Sequence, residues 1–108
     1  MQYALLAYGH QSQSGIPAEI AAILERPLVT GWVRLHEDES ATTVHHGDSG
    51  TLMTDGPFIE SKEYLAGIIL VEAENLDGAL AIARDFQEVR TTGAIEVRPV
   101  LESTIGGA

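Results

Sequence analysis

Apolar and polar positions alternate along this chain with two different periods, and each change of period marks a predicted element. Runs with period two, or with unbroken apolar character, predict strands, whereas apolar residues three or four apart predict helices. The predicted order is a strand at 2–8, a helix within 16–27, a strand at 30–39, a hairpin with arms at 41–46 and 51–54, a strand at 63–74, a helix at 76–86 and a strand at 94–100.

Local signals mark the ends of both helices. Pro17 suits the first turn of the first helix, and Pro27 ends it. Asn75 is a good N-cap for the second helix. The apolar face consists of Ile16, Ile20, Ile23 and Leu24 in the first helix and of Leu76, Ala79, Leu80, Ala83 and Phe86 in the second.

The order of elements predicts an α+β fold. Two β-α-β halves, with the hairpin inserted between them, build a ferredoxin-like βαββαβ sandwich that has both helices on one face of its sheet. The run 65–71 is apolar throughout, which is typical of a strand buried on both faces. Because the helices cover one face only, we expect a second copy of the chain to cover the other. The sequence therefore predicts a homodimer.

Composition suits one globular domain and excludes several kinds of function. The 108 residues predict a single domain at 1–101 with a C-terminal tail at 102–108. A net charge of −10 with six Lys and Arg residues argues against binding to nucleic acid or to an anionic membrane. The chain has no cysteine, which excludes disulfides and thiol catalysis. The start, MQYALLAYGH, has no basic segment and is too short to span a membrane, so we expect a cytoplasmic protein.

One long segment carries a specific motif. The sequence TDGPFIESKEYLAGIILVEAENLDGALAIA at 54–83, followed by GAIEVRPV at 93–100, closely resembles the DGPF-domain branch of the YCII-related family. The preceding ATTVHHGDSGTLM and the start MQYALLAYG resemble the same branch. The resemblance covers 41–100 and implies a ferredoxin-like fold that assembles as a dimeric α+β barrel.

The same resemblance implies less about activity, because most members of the branch have no assigned reaction. Related YCII-like proteins are proposed to use a His–Asp pair in a cleft, and one branch acts as a dehydrochlorinase on a chlorinated hydroxyquinol. DGPF members also occur beside, or fused to, extracytoplasmic-function sigma factors. The resemblance thus implies a sigma factor as a candidate partner, by family analogy.

Asp55 opens the DGPF corner and has two interpretations. As a turn residue, its carboxylate would accept backbone N–H bonds, with an unusual backbone at Gly56, a fixed φ at Pro57 and an anchor in the core from Phe58. As a site residue, Asp55 would stand at a strand end beside a cleft and orient a histidine or act as a base. Turn chemistry alone explains Asp-Gly-Pro, so the structural interpretation is the simpler one.

Four histidines could partner Asp55. His10, in the polar loop after the first strand, is our first choice, and His36, at the end of the second predicted strand, is the next. His45 and His46 are neighbours on one hairpin strand and point to opposite faces, so they cannot easily share a metal ion. The alternative for each histidine is an ordinary surface position. We expect neither a metal nor a cofactor.

Aromatic and basic residues could complete a ligand site. Tyr8 and Trp32 are candidates for lining a pocket, as is Phe58, and Arg98 is a candidate positive charge for an acidic substrate. The alternatives are core positions for the aromatic residues and a cross-strand or intersubunit ion pair between Arg98 and Glu96.

Three classes of function remain open at this stage. The first is an enzyme that acts on a small aromatic or hydroxylated metabolite through a His–Asp pair. The second is a non-catalytic dimeric module that senses a ligand or contacts a sigma factor. The third is an interaction protein without a small-molecule site. The separation of Asp55 from the nearest imidazole distinguishes the first class from the others.

Overall fold

The predicted elements are present in a computed structural model, which describes residues 1–9, 15–58 and 63–105. The elements are the strands β1 (Gln2–Gly9), β2 (Val29–Arg34), β3 (Thr42–Gly47), β4 (Gly50–Asp55), β5 (Tyr64–Glu72) and β6 (Ala94–Pro99), the helices α1 (Ala18–Leu24) and α2 (Leu76–Arg90), and a 3-10 turn at Asp38–Ser40.

Four strands form one antiparallel sheet in the order β2-β5-β1-β6, and β3 pairs with β4 in a separate hairpin. Consecutive strands of the main sheet are joined by α1, by the hairpin segment and by α2. The predicted α+β class is confirmed, and this strand order is compatible with a ferredoxin-like fold.

The core lies between the sheet and the two helices. Alternation along β1 buries Tyr3 and Leu5, and β5 contributes Ile69 and Val71 to the same face. Phe86 of α2 is 1% exposed and packs into this cluster. Burial of an apolar side chain of this size stabilises a fold by about 1.5–3 kcal/mol. The helix-covered face of the sheet therefore holds the domain together.

Helix α2 follows its predicted signals at the start and extends further at the end. The N–H of Gly78 donates to Oδ1 of Asn75 at 3.1 Å, which confirms the predicted N-cap. The helix continues to Arg90 and ends at Thr91, whose φ of 63° is left-handed. Ile82 lies in the core, whereas Leu76 is 47% exposed, so the predicted apolar face was wrong at Leu76. An exposed position in the first turn lies beyond the edge of the sheet contact.

Helix α1 is shorter than the predicted segment. Only Ala18–Leu24, seven residues, are helical, and Pro17 occupies the N-cap position. The chain turns before Pro27 because the residue preceding a proline disfavours the α conformation. Arg26 in this turn forms an ion pair with Asp85 of α2, 2.6 Å between Nη1 and Oδ2. The pair is exposed and contributes less than about 1 kcal/mol.

Neither of the two described helices lies over the second face of the sheet. Gly67, Ile69 and Val71 of β5 are buried, while the alternate residues Ile68 and Leu70 are half-buried. The prediction that β5 is buried on both faces therefore holds for one face of the single chain. We call the apolar patch on this side, formed by Leu6, Val33, Ile68 and Leu70, the open sheet face.

The hairpin of β3 and β4 stands apart from the main sheet. Its turn falls at Asp48 and Ser49, as the Gly-Asp-Ser-Gly pattern predicts. Val44 and Met53 face each other across the hairpin and are 61% and 73% exposed. The protein is accordingly elongated, with principal extents of 46 × 32 × 18 Å.

Candidate functional site

A cleft opens at the end of the sheet where β1 and β2 finish and β5 begins. It has a volume of about 610 Å³. We call it the strand-end cleft; its walls are Tyr8, Leu35, His36, Glu37, Asp38, Ser40, Ala41, Pro57, Phe58, Glu63, Tyr64 and Leu65. A cavity of this size is large enough for a small molecule.

A β-bulge shapes the sheet side of this cleft. The register between β1 and β5 shifts after Ala7, so that Ala7 pairs with Gly67 while Tyr8 pairs with Leu65. Ala66 is the additional residue, and its carbonyl accepts the N–H of Leu35 at 2.9 Å. Bulges bend a strand and re-aim the side chains next to them. The sequence signal for this bulge is Gly67 within an apolar strand, where an added Cβ would meet the carbonyl of Val33 at 2.8 Å.

Backbone contacts close the DGPF corner. Gly56 has φ +94°, which confirms the unusual backbone predicted for it. Its N–H donates to the carbonyl of Ala41 at 2.7 Å, and its own carbonyl accepts the hydroxyl of Thr43 at 2.7 Å. Asp55 pairs with Thr42 at the end of β4 and is exposed. No described residue donates a hydrogen bond to its carboxylate, so the corner does not depend on that side chain.

Phe58 lies in the wall of the cleft and is 75% exposed. The interpretation of this residue as an anchor in the core is therefore wrong. The corner joins the projecting hairpin to β5, so its aromatic ring faces the cleft and the hairpin rather than the helix-covered core. Its ring centroid is 6.4 Å from that of His45, with the planes tilted by 58°.

Three of the residues selected from the sequence come together in the strand-end cleft. Tyr8 is at the end of β1, His36 follows β2, and Phe58 belongs to the corner. Asp55 is two residues away from the lining residue Pro57 but is not itself part of the wall. His10, the first choice as partner of Asp55, lies outside the described residues.

Trp32 and Arg98 lie elsewhere. Trp32 lines a second cavity, on the side of the sheet that the helices cover. Arg98 is opposite Ala4 on β6, and Glu96 is opposite Leu6, so both flank the open sheet face. Neither Trp32 nor Arg98 borders the strand-end cleft. The expected aromatic set is therefore divided between two cavities.

The strand-end cleft is acidic. Glu37, Asp38 and Glu63 line it, and none of its described lining residues is Lys or Arg. Such a lining repels anions and favours a cation or a neutral molecule with hydroxyl groups. Sequence reasoning did not select these carboxylates, although Glu37 and Asp38 belong to the acidic run HEDE at 36–39.

The second cavity, which we call the helix-side cavity, has the opposite character. It lies between α1, β2 and the C-terminal part of α2 and has a volume of about 310 Å³. Apolar side chains form most of its wall, and Arg34 and Arg90 also line it. Among the residues that the structure describes, none lines both cavities.

The described ranges 1–9, 15–58 and 63–105 contain neither a metal-ligand cluster nor a membrane-spanning helix. No group of three or more His, Asp or Glu residues there is placed to hold a metal ion. No helix in the same ranges is long and apolar enough to cross a membrane.

Comparison with known proteins identifies the family. The model of the YCII-related domain matches residues 1–104. The chain is also 32% identical over 114 residues to an uncharacterized protein of Rhizobium meliloti (strain 1021), in an alignment that covers 93% of this chain and 92% of the relative. The chain therefore belongs to the YCII-related family. Its assignment to the DGPF-domain branch stays a prediction.

Proposed function

We propose that the protein binds a small molecule in the strand-end cleft and that His36 exchanges a proton with this ligand. One observation carries the proposal. Tyr8, His36 and Phe58 are distant in sequence, yet all three line one cavity of ligand size. An imidazole can act as an acid or as a base, which makes His36 the group best suited to proton transfer.

The lining defines the chemical class of ligand. Phe58 offers an exposed aromatic face, and the hydroxyls of Tyr8 and Tyr64 are hydrogen-bonding groups on the same walls. The carboxylates of Glu37 and Asp38 disfavour anions. The ligand we propose is a small aromatic molecule that carries hydroxyl groups or a positive charge.

We propose that the carboxylate partner of His36 is one of the acidic residues that line the strand-end cleft. Asp55 is the carboxylate that the sequence suggested, but Glu37, Asp38 and Glu63 border the same cavity as His36 and Asp55 does not. A carboxylate beside an imidazole orients the ring and stabilises its protonated form. We therefore assign this role to one of the three lining carboxylates.

Binding can be mapped with three matched probes: catechol is neutral and hydroxylated, benzylamine is cationic and benzoate is anionic. In amide NMR spectra we expect catechol and benzylamine to shift the resonances of Tyr8, Leu35, Ala41 and Leu65, while benzoate leaves them unchanged. Shifts that cluster around Trp32 instead, or no shifts with any of the three probes, would contradict the proposal.

His36→Gln tests the chemical step, with His46→Gln as the matched control on the exposed hairpin. If the protein is an enzyme, loss of His36 should slow substrate proton transfer roughly 10²–10⁴-fold and leave the melting temperature unchanged. The control should keep full activity. Equal rates in the two variants would remove His36 from the mechanism.

A non-catalytic ligand-binding or regulatory module is the second candidate function. The observation that favours it is the exposed position of Asp55, whose carboxylate is outside the cleft that holds His36. Catechol binding without any detectable proton exchange between His36 and the ligand would support this alternative. A sigma factor is then the partner to test, by family analogy, in a pull-down with the full chain.

We also propose a homodimer that buries the open sheet face. Leu6, Ile68 and Leu70 form an apolar centre on this face, and all three are only half-buried in the single chain. Glu96 and Arg98 flank the centre on β6. A two-fold axis would let Glu96 of one copy pair with Arg98 of the other.

Leu70→Asp and Ile69→Asp separate assembly from folding. Alternation places Leu70 on the open sheet face and Ile69, 8% exposed, in the helix-covered core. An unpaired charge in the core is very costly, so Ile69→Asp should unfold the chain, whereas Leu70→Asp should yield a folded monomer. Analytical ultracentrifugation reports both outcomes. A wild-type chain that sediments as a monomer at micromolar concentration would exclude the dimer.

A further inference from the structure

The helix-side cavity exposes an aromatic residue on the covered side of the sheet. Trp32 pairs with Ile69 and shares its orientation, yet 44% of Trp32 is exposed. Helix α1, which contacts β2, is only seven residues long. Ile20 and Leu24 of α1 and Val89 of α2 line the same cavity as Trp32. The helix-side cavity is therefore mainly apolar, and its volume of about 310 Å³ lies at the lower limit of the volumes typical of ligand pockets.

The charges around this cavity are opposite in sign to those of the protein as a whole. The chain has 16 acidic residues and six Lys and Arg residues. Two of these six, Arg34 and Arg90, line the cavity, and its described lining contains no Asp or Glu. An apolar cavity with two guanidinium groups suits an amphipathic anion.

Arg90 is held in a fixed position. Its Nη1 donates to Oε1 of Gln87 at 2.9 Å and to the carbonyl of Ala94 at 3.3 Å, and its Nη2 donates to the carbonyl of Tyr8 at 2.7 Å. These contacts use three of the five N–H groups of the side chain, and described residues accept no other. Burial lowers the pKa of Arg90, and the charge of Glu63 acts in the opposite direction. The Arg90 side chain also lines the cavity, so we expect a ligand bound there to accept from its two remaining N–H groups.

Two glycines make room for this guanidinium. A Cβ at Gly9 would lie 3.1 Å from Nη2 of Arg90, and one at Gly93 would lie 3.2 Å from the same atom. Gly93 has φ +71°, and its added Cβ would also meet the carbonyl of Tyr8 at 2.1 Å. The backbone around Arg90 therefore fixes the group before any ligand arrives, which reduces the entropic cost of binding.

We propose that the helix-side cavity binds a small organic carboxylate, whose apolar body lies against Trp32 and whose carboxylate pairs with Arg90 and Arg34. We treat this site as separate from the proposed strand-end site, because the two cavities have no described lining residue in common.

Trp32 is the single tryptophan of the chain, so its fluorescence reports on this cavity alone. We would titrate the full chain with octanoate and, separately, with 1-octanol, which has the same apolar body without the charge. We expect a saturable change in Trp32 emission with octanoate and an affinity at least about tenfold weaker for octanol, because a guanidinium–carboxylate pair is lost.

Two arginine variants make the test specific. Arg34→Gln should weaken octanoate binding about tenfold or more and leave octanol binding unchanged. Arg98→Gln removes the same charge from β6, outside both cavities, and should keep the wild-type affinity. Arg90 is not the target, because its hydrogen bonds tie α2 to β1 and to the start of β6.

Three results would overturn the proposal: no saturable change with octanoate, equal affinities for octanoate and octanol, or unchanged octanoate binding by Arg34→Gln. If circular dichroism shows that Arg34→Gln is unfolded, the relative affinities of the wild-type chain for octanoate and octanol still test the proposal. His36→Gln should bind octanoate normally, so failure of this proposal and failure of the strand-end proposal are distinguishable.

Discussion

The strand-end cleft and the helix-side cavity differ in how they are built. The strand-end cleft is walled largely by connecting segments, the stretch after β2 and the DGPF corner, and carries Glu37, Asp38 and Glu63. The helix-side cavity is walled largely by α1, β2, β5 and α2 and carries Arg34 and Arg90. Connecting segments tolerate polar residues because they face solvent. Helices and strands that pack against each other contribute mainly apolar side chains and only a few charged ones. The fold thus separates two cavities whose charged lining residues have opposite signs.

Replacing the phenylalanine of each cavity by alanine should show the largest contrast. Phe86 borders the helix-side cavity and is 1% exposed, whereas Phe58 borders the strand-end cleft and is 75% exposed. Phe86→Ala should lower the free energy of unfolding by about 3–5 kcal/mol. Phe58→Ala should change it by less than about 0.5 kcal/mol, as expected at an exposed position. Urea unfolding measures both free energies. Similar losses in the two variants would mean that Phe58 and Phe86 contribute equally to stability, which would contradict the prediction.

A second contrast concerns the glycines with positive φ. A Cβ at Gly93 would meet the carbonyl of Tyr8 at 2.1 Å, while Gly56 has open space around it. Gly93→Ala should therefore destabilise the fold by at least about 2 kcal/mol, and Gly56→Ala by about 1 kcal/mol. Because Gly93 packs beside Arg90, its variant should also weaken octanoate binding. Thermal melts measure the stability of the two variants, and octanoate titrations measure their affinity. A smaller loss for Gly93→Ala than for Gly56→Ala would refute the prediction.

Within the DGPF corner, the backbone should matter more than the carboxylate. Gly56→Val forces a branched side chain into φ +94°, which costs about 1–2 kcal/mol. Asp55→Asn should cost less than about 0.5 kcal/mol, because the carboxylate is exposed and described residues donate no hydrogen bond to it. Matched thermal melts are the measurement. Equal, small losses in the two variants would argue against a turn-based role for the corner.

The smallest expected effect tests the charge of the strand-end cleft. Glu37→Gln should weaken benzylamine binding about two- to fivefold, since charge pairs near the surface contribute about 0.2–1 kcal/mol. Catechol binding should change less, and octanoate binding in the helix-side cavity should not change at all. Isothermal titration calorimetry with the three ligands gives the comparison. Tighter benzylamine binding by the variant would mean that Glu37 does not contribute to the acidic character of the site.

Much of the fold follows from local signals in the sequence. The Asn75 cap, the unusual backbone at Gly56 and the Asp48–Ser49 turn of the hairpin were all predictable, because each depends on residues only a few positions apart. Of the site, Tyr8, His36 and Phe58 were identified as candidates. The division of the aromatic residues between two cavities was not predictable. Tyr8 and Trp32 are both aromatic residues in short apolar strands, and the local sequence does not show which face of the sheet each side chain takes.

Sequence by itself determined the α+β class, the order of elements and the apolar character of both faces of β5, since side-chain periodicity is a local property of the chain. Tertiary structure decided the pairing of β1 with β5, the bulge at Ala66 and the convergence of Tyr8, His36 and Phe58. It also decided that Arg90 would reach the carbonyl of Tyr8, a residue 82 positions away. These contacts depend on register and close approach between distant segments, and a shift by one residue would reverse the face of every side chain in a strand.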